Sequence, residues 1–234
     1  VLMDVEYIDH MGDDLTVVNS ARVSFDKESD WEWQSSDGLG YPLEGYLSKE
    51  DERLINYLAS HNHWTPFSHC TITLRETVPI FVARERFRHT VGFTYNEVSR
   101  RYVEDSPVYH LPKEWRKRPP SSIKQGSSEE VLDGDDMARA YSIYDSVTDT
   151  CNAAYSELLG LGVAPEQARM LLPQNMMTSY YVTGSLAAFA RAYMLRSDSN
   201  AQKEIQDVAL KWNETIKELF PHSWAALTNS RDYS

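Results

Sequence analysis

The chain has 234 residues, with 23 Lys+Arg against 35 Asp+Glu, a formal charge of −12. Hydrophobic residues make up 41% and aromatics 12%, which supports a buried core and excludes a disordered chain, a collagen-like repeat or a disulfide scaffold. The acidic balance argues against a broad nucleic-acid surface, and no apolar run reaches the roughly 18–20 residues of a membrane helix.

The opening Val1-Leu2-Met3-Asp4 has neither a basic nor an apolar stretch, so no signal peptide is expected. Two cysteines, Cys70 and Cys151, suit a reducing compartment such as the cytoplasm. Asp26 to Leu47 mixes charge, Gly, Ser and Pro with Trp31 and Trp33, and reads as a loop or surface insertion. Ser48-Lys49-Glu50-Asp51 resembles a capping box, and Leu54, Ile55 and Leu58 follow at helical spacing. Thr71 to Val78 alternates and predicts a strand: Ile72, Leu74, Glu76 and Val78 share one face, Thr71, Thr73, Arg75 and Thr77 the other. Pro79 ends that strand, after which Ile80, Ala83 and Phe87 fit one face of a short helix. Ser106 to Asp135 is a second insertion, rich in Pro, Ser and charge. Asp136 to Leu159 gives the strongest helix, with Met137, Tyr141, Tyr144, Val147, Cys151, Ala154, Tyr155 and Leu158 on one stripe. Pro165 starts another helix as its first residue. Ser185 to Arg196 and Gln202 to Phe220 are two more, the latter with Ile205, Val208, Ala209, Trp212, Ile216 and Leu219 aligned. No internal repeat is visible. These elements predict an α+β fold, helix dominant, in one domain spanning residues 1–234, with surface insertions near 26–47 and 106–135.

The chemistry concentrates between Arg84 and Tyr102, which carry five arginines, one histidine and two glutamates. Arg84 and Arg88 lie four apart and would share a helix face. If Glu97 to Arg101 is extended, Glu97, Ser99 and Arg101 point to one side. Guanidiniums, a hydroxyl and a carboxylate suit a planar anionic ligand such as a nucleotide. The same residues also read as a solvated, salt-bridged helix and edge strand. His61 to His69 holds three histidines, which either ligate a metal or line a turn between helix and strand. Arg169 and Arg196 each sit by an apolar helix, stapling its end or binding a ligand. No glycine-rich dinucleotide motif, P-loop or nucleophile elbow occurs.

Five segments together resemble one family, the flavin-dependent thymidylate synthases, often called ThyX. Arg88-His89 opens its Arg-His-Arg signature, and Asn96-Glu97-Val98-Ser99-Arg100-Arg101-Tyr102 closes it. Ala21-Arg22-Val23-Ser24-Phe25, His63-Trp64-Thr65-Pro66-Phe67-Ser68-His69, Glu166 to Pro173 and Arg196 to Ile205 are similar to its other motifs. The resemblance implies a ThyX-type fold, an antiparallel-containing central sheet flanked by long helices. It implies a methyltransferase making dTMP from dUMP, with FAD as cofactor and NADPH and methylenetetrahydrofolate as co-substrates. It also implies a homotetramer with sites shared between subunits, no nucleic acid, no membrane and no metal. Arg196 would be catalytic, stabilising charge on the uracil. Glu85, Arg88, Glu97, Ser99, Arg101 and Arg169 would join it in holding dUMP. Ser24, His63, Thr65, Arg88, His89, Thr90, Asn96, Glu97, Ser185, Ala187 and Arg191 would line the FAD site. No protein nucleophile is implied, and Ser99 reads as a ligand-binding hydroxyl.

Several positions depart from the family pattern. Thr90 replaces the second arginine of the signature, and the spacer from Thr90 to Ser99 is one residue longer. Glu85 stands for a common Gln, Ser68 for an acidic residue, Arg191 for an Asn and Asn200 for a His. Arg191 is expected to restore the charge missing at Thr90. These departures leave open a nucleotide-binding protein without catalysis on the same scaffold.

Overall fold

The computed structural model describes residues 2–35, 42–101, 106–119 and 127–229. The chain begins with β1 (Asp4–Met11) and α1 (Asp14–Arg22), then a small hairpin of β2 (Glu32–Ser35) and β3 (Pro42–Tyr46). After α2 (Lys49–Ser60), β4 (Thr71–Pro79) runs directly into α3 (Ile80–Arg86), and β5 (Phe93–Glu97) follows. The second half holds α4 (Gly134–Gly160), α5 (Pro165–Ala168), β6 (Met177–Ser185), α6 (Leu186–Arg196), α7 (Lys203–Leu219) and α8 (Pro221–Asn229). Among the described residues, four strands form one antiparallel sheet in the order β1-β4-β6-β5.

β4 carries the expected alternation. Ile72, Leu74, Glu76 and Val78 are all buried, and the strand pairs with β6 from Thr71↔Ser185 to Pro79↔Met177. Pro79, paired with Met177, is the last residue of the strand, and α3 starts at Ile80, as expected. The inward face of the sheet meets α7, whose Ile205, Val208, Ala209, Trp212 and Ile216 are fully buried, as the periodicity requires. Removing a large apolar side chain of this kind from water contributes about 1.5–3 kcal/mol each. Phe189 and Leu186 of α6, Ile55 and Leu58 of α2, and Trp224 of α8 belong to the same core. The outward face is polar: Thr73 and Thr183 hydroxyls lie 2.9 Å apart, and Arg75 Nε donates to Ser179 Oγ at 3.0 Å.

The local signals work out unevenly. Ser48 caps α2, accepting from Asp51 N–H at 3.1 Å. The full reciprocal capping box belongs instead to Asp13 and Thr16 at α1, where no box was expected. Asp51 also anchors Arg22, which donates through Nη2 at 2.7 Å and Nε at 3.0 Å. Burial alone would raise the Asp51 carboxyl; hydrogen bonds from Arg22, Ser48 and Ser29 outweigh it and hold it below the usual carboxylate range. Arg22 is therefore a brace between α1 and α2. α3 turns Val82, Ala83 and Arg86 inward, whereas Ile80 and Phe87 are only half-buried.

Both insertions hold structure where the sequence reads as loop. The first contains the β2–β3 hairpin; the second lays Trp115 against Tyr141 and Tyr144 of α4 and pairs Arg116 with Glu204 of α7. Residues 36–41 and 120–126 of these insertions, and Tyr102 of the signature, lie outside the described residues. α4 departs most from its pattern: only Tyr155 is buried, while Val147 is 54% exposed and Ile143 56%. Cys70 is buried beside α1, its Sγ 3.5 Å from the Asp13 carbonyl, and burial with the charges of Asp13 and Asp14 pushes its thiol up to about 12. No helix of the described residues is long and apolar enough to cross a membrane.

Candidate active site

α3 presents two faces to two different clusters. On one side stands a corner made by Glu85, His89 and Arg196. α6 delivers Arg196 in its last turn, where the carbonyl end of the helix favours a cation. Arg196 Nε donates to His89 Nε2 at 2.8 Å, and Arg196 Nη1 is ion-paired with Glu85 Oε1. The second oxygen, Glu85 Oε2, is buried with no hydrogen-bond partner. Burial holds His89 down at about 4, helped by the charges of Arg196, Arg86, Arg191 and Arg88. Its ring is thus neutral near pH 7, with Nε2 as acceptor and the proton on Nδ1.

The loop after His89 is pinned to the start of α6. Phe93 N–H bonds the Thr90 carbonyl at 3.4 Å, closing a turn in which Gly92 has φ of 79°. A left-handed third residue is what a type II turn asks of glycine. A Cβ at Gly92 would stand 2.8 Å from the Ala188 Cβ, so glycine is also needed for this close approach. Ser185 N–H bonds the Gly92 carbonyl at 3.2 Å, while its hydroxyl caps α6 by accepting from Ala188 N–H. Arg191 Nη2 donates to the Val91 carbonyl at 2.8 Å. His89, Thr90, Ser185, Ala187 and Arg191 therefore share one locality, a helix N-terminus with a guanidinium beside it.

On the other face of α3, an open cavity of about 500 Å³ is lined by Arg84, Glu97, Ser99, Arg100, Arg101 and Arg169 among others. Glu97 accepts from Thr178 Oγ1 at 2.7 Å, which fixes the carboxylate at the cavity wall. β5 ends at Glu97, and the chain turns at 100–101, so Ser99 and Arg101 are not brought together by strand alternation. Instead the Ser99 hydroxyl accepts from Arg101 N–H and Nε, both at 3.3 Å. Four guanidiniums against one carboxylate make this a cavity for an anion.

The expected dUMP residues thus divide. Glu85 and Arg196 stand at the corner; Glu97, Ser99, Arg101 and Arg169 stand in the cavity; Arg88 is exposed and close enough to lower the pKa of His89. Of the flavin set, Asn96 is exposed on β5 opposite Tyr181. Ser24 is exposed in the one-turn helix Val23–Phe25. His63 and Thr65 precede the Pro66–Ser68 turn, which packs on α6. These last three make no side-chain hydrogen bond to the corner. His61 stacks on Tyr57 with centroids 4.0 Å apart, in the turn between α2 and β4, and no group of three potential metal ligands occurs among the described residues. Sequence reasoning missed the floor under the corner, Glu76, Arg86 and Tyr95; the available signal was Glu76, a lone charge at an inward strand position.

The model of the family described as thymidylate synthase complementing protein matches residues 6–222. A flavin-dependent thymidylate synthase of Thermosipho africanus is 35% identical over 221 residues, covering 94% of this chain and 88% of the relative. This chain is a flavin-dependent thymidylate synthase family member. Another synthase so named, from Thermus thermophilus, is 35% identical over 222 residues, covering 95% of this chain and 74% of the relative. Among solved structures, a UMP/dUMP methylase, PolB of Streptomyces cacaoi, bound with 5-Br dUMP, superposes with a TM-score of 0.80 at 28% identity, over 97% of this chain and 95% of that one. The α+β, open-sheet architecture of the family is therefore the architecture of this synthase family member.

Proposed function

We propose that the chain carries out its family's reaction through the two clusters described: reductive methylation of dUMP to dTMP, with methylenetetrahydrofolate as carbon donor and NADPH-reduced FAD as hydride donor. The observation that carries this reading is Arg196, held between Glu85 and a neutral His89, with the second Glu85 oxygen buried and without a hydrogen-bond partner. When bound, reduced flavin supplies hydride and the folate supplies the methylene.

The residues fit these partners. Arg196 is pre-oriented to stabilise negative charge developing on the uracil carbonyls, an electrostatic role that costs no reorganisation during the reaction. Glu85, ion-paired with Arg196, would meet the uracil beside it. Arg101 and Arg169, with Ser99, take the phosphate; Glu97 orients the nucleotide beside the flavin. The start of α6, with Ser185, Ala187 and Thr90, suits the cofactor pyrophosphate, and Arg191 supplies there the charge that Thr90 lacks. Arg88, His89 and Asn96 border the same cofactor, with Ser24, His63 and Thr65 contributing from farther elements. No thiol is called on, in keeping with the inert Cys70.

One subunit presents the corner and the cavity on different faces of α3, and α4 leaves Ile143 and Val147 exposed to solvent. Both support a homotetramer in which the corner of one subunit completes the cavity of another. The purified protein is expected to be yellow and to release tritium from ring-labelled dUMP once NADPH and the folate are added. A protein that binds FAD and dUMP yet releases none would favour the non-catalytic reading; a colourless, inactive one would overturn both.

A further inference from the structure

Beneath the corner lies a buried polar network that the reaction as described does not use. Glu76 and Arg86 are both fully buried, and Arg86 Nε reaches the two Glu76 carboxylate oxygens at 3.2 Å each. Tyr180 hydroxyl and Trp212 Nε1 donate to the same carboxylate at 2.6 and 2.9 Å. The guanidinium carbon of Arg86 stands over the rings of Phe93 and Trp212, at 4.3 and 4.6 Å. A buried ion pair contributes little more stability than well-packed apolar residues in its place, so stability does not explain this one.

Direction does. Arg86 Nη1 donates to the Tyr95 hydroxyl at 2.7 Å. A guanidinium can only donate, so the Tyr95 oxygen is the acceptor there and its own proton must go elsewhere. The nearest acceptor is the backbone carbonyl of His89 at 2.8 Å, with the Arg86 carbonyl farther at 3.3 Å. Burial pushes the Tyr95 hydroxyl up to about 12, which keeps that proton in place. His89 is also the residue whose ring receives Arg196.

We propose that Tyr95 is a positioning residue for the reaction: oriented by Arg86, its hydroxyl clamps the His89 backbone, and the His89 ring in turn aims the Arg196 guanidinium. The inference rests on the reading of Arg196 as the group that meets the uracil. The groups facing the His89 ring are cationic throughout, Arg196 and Arg191 from α6, Arg86 from α3 and Arg88 from the loop, while Glu85 is engaged with Arg196. Once the clamp is lost, the ring leaves this company and becomes easier to protonate.

Tyr95→Phe in the FAD-loaded enzyme keeps the ring and removes only the hydroxyl. Its kcat is expected to fall about tenfold with KM for dUMP within about twofold. In nitrogen NMR, the His89 ring should titrate near 4 in the wild type and move toward 6.5 in the variant. Tyr180→Phe removes a hydroxyl from the same Glu76 carboxylate but off the path to His89, and should leave kcat and the His89 titration unchanged. Equal kcat losses in both variants, or a folded Tyr95→Phe with wild-type kcat and titration, would overturn the proposal. Should Tyr95→Phe not fold, the wild type decides. A His89 ring that titrates near 6.5 is not held by Arg196 and refutes the chain of contacts; a neutral ring with Nε2 as acceptor upholds it. Arg196→Lys separates the two readings: full turnover there removes the role of Arg196 itself, whereas lost turnover beside an unaffected Tyr95→Phe removes only the clamp.

Discussion

The corner and the cavity carry similar residue types and are built in opposite ways. At the corner, Arg196 is committed to Glu85 and His89 within one chain, half-buried and already oriented. In the cavity, the arginines surround open space, and Ser99 and Arg101 are joined by a turn instead of a strand. A guanidinium fixed in advance acts on the transition state; guanidiniums around a cavity act on affinity. The two regions should therefore fail differently when mutated.

The largest effect is expected at the corner. Arg196→Lys keeps the charge but loses the planar fork that spans Glu85 and His89, and kcat should fall by about 10²–10³ with an unchanged circular dichroism spectrum. A kcat within a few-fold of wild type would break the contrast. In the cavity, Arg101→Ala or Arg169→Ala removes a charge-assisted bond of about 1.5–3 kcal/mol, so KM for dUMP should rise about 10–100-fold with little change in kcat. Steady-state kinetics that show the reverse split would exchange the roles of the two regions. Next comes Arg191→Ala at the junction of loop and α6. It should weaken FAD retention about tenfold on gel filtration, against no change for the exposed control Arg139→Ala. Equal retention would remove the compensation for Thr90.

The smallest effect is in pH dependence. His89 has a folded-state pKa depressed to about 4 from 6.5, so the neutral ring favours the native state. That contribution is complete above 6.5 and is lost as pH falls through about 4, with Asp51, also depressed, adding to the acid-side loss. Denaturant titrations should show stability declining across that window. A midpoint independent of pH from 7 down to 4 would mean that His89 is not enclosed by its cations.

How far the sequence could be read depends on who covers a given surface. The stripe of α7 is buried by the sheet of its own chain, and each aligned residue from Ile205 to Ile216 is where the periodicity puts it. The stripe of α4 is less amphipathic than that of α7, and Val147 remains exposed on it. Val147→Asp should leave the thermal melt of the subunit nearly unchanged and, under the proposed homotetramer, disturb assembly on light scattering. The site was legible as a set of residue types between Arg84 and Tyr102, and its division into corner and cavity was not. That division depends on a helix register that puts Arg84 and Glu85 on different faces, and on the end of β5 at Glu97. Gly92 and Tyr95 were invisible for another reason: their roles arise from contacts with Ala188 and Arg86, which come from the fold and not from spacing.

Cys70 gives this molecule a built-in chemical clock. Its thiol, buried beside the Asp13 carbonyl and held protonated up to about 12, is closed to alkylating reagents at neutral pH while β4 and α1 remain together. A maleimide pulse would then label Cys70 only in a chain that has opened. Mass spectrometry of the Cys70-labelled fraction would time the opening of the core directly, with no probe introduced.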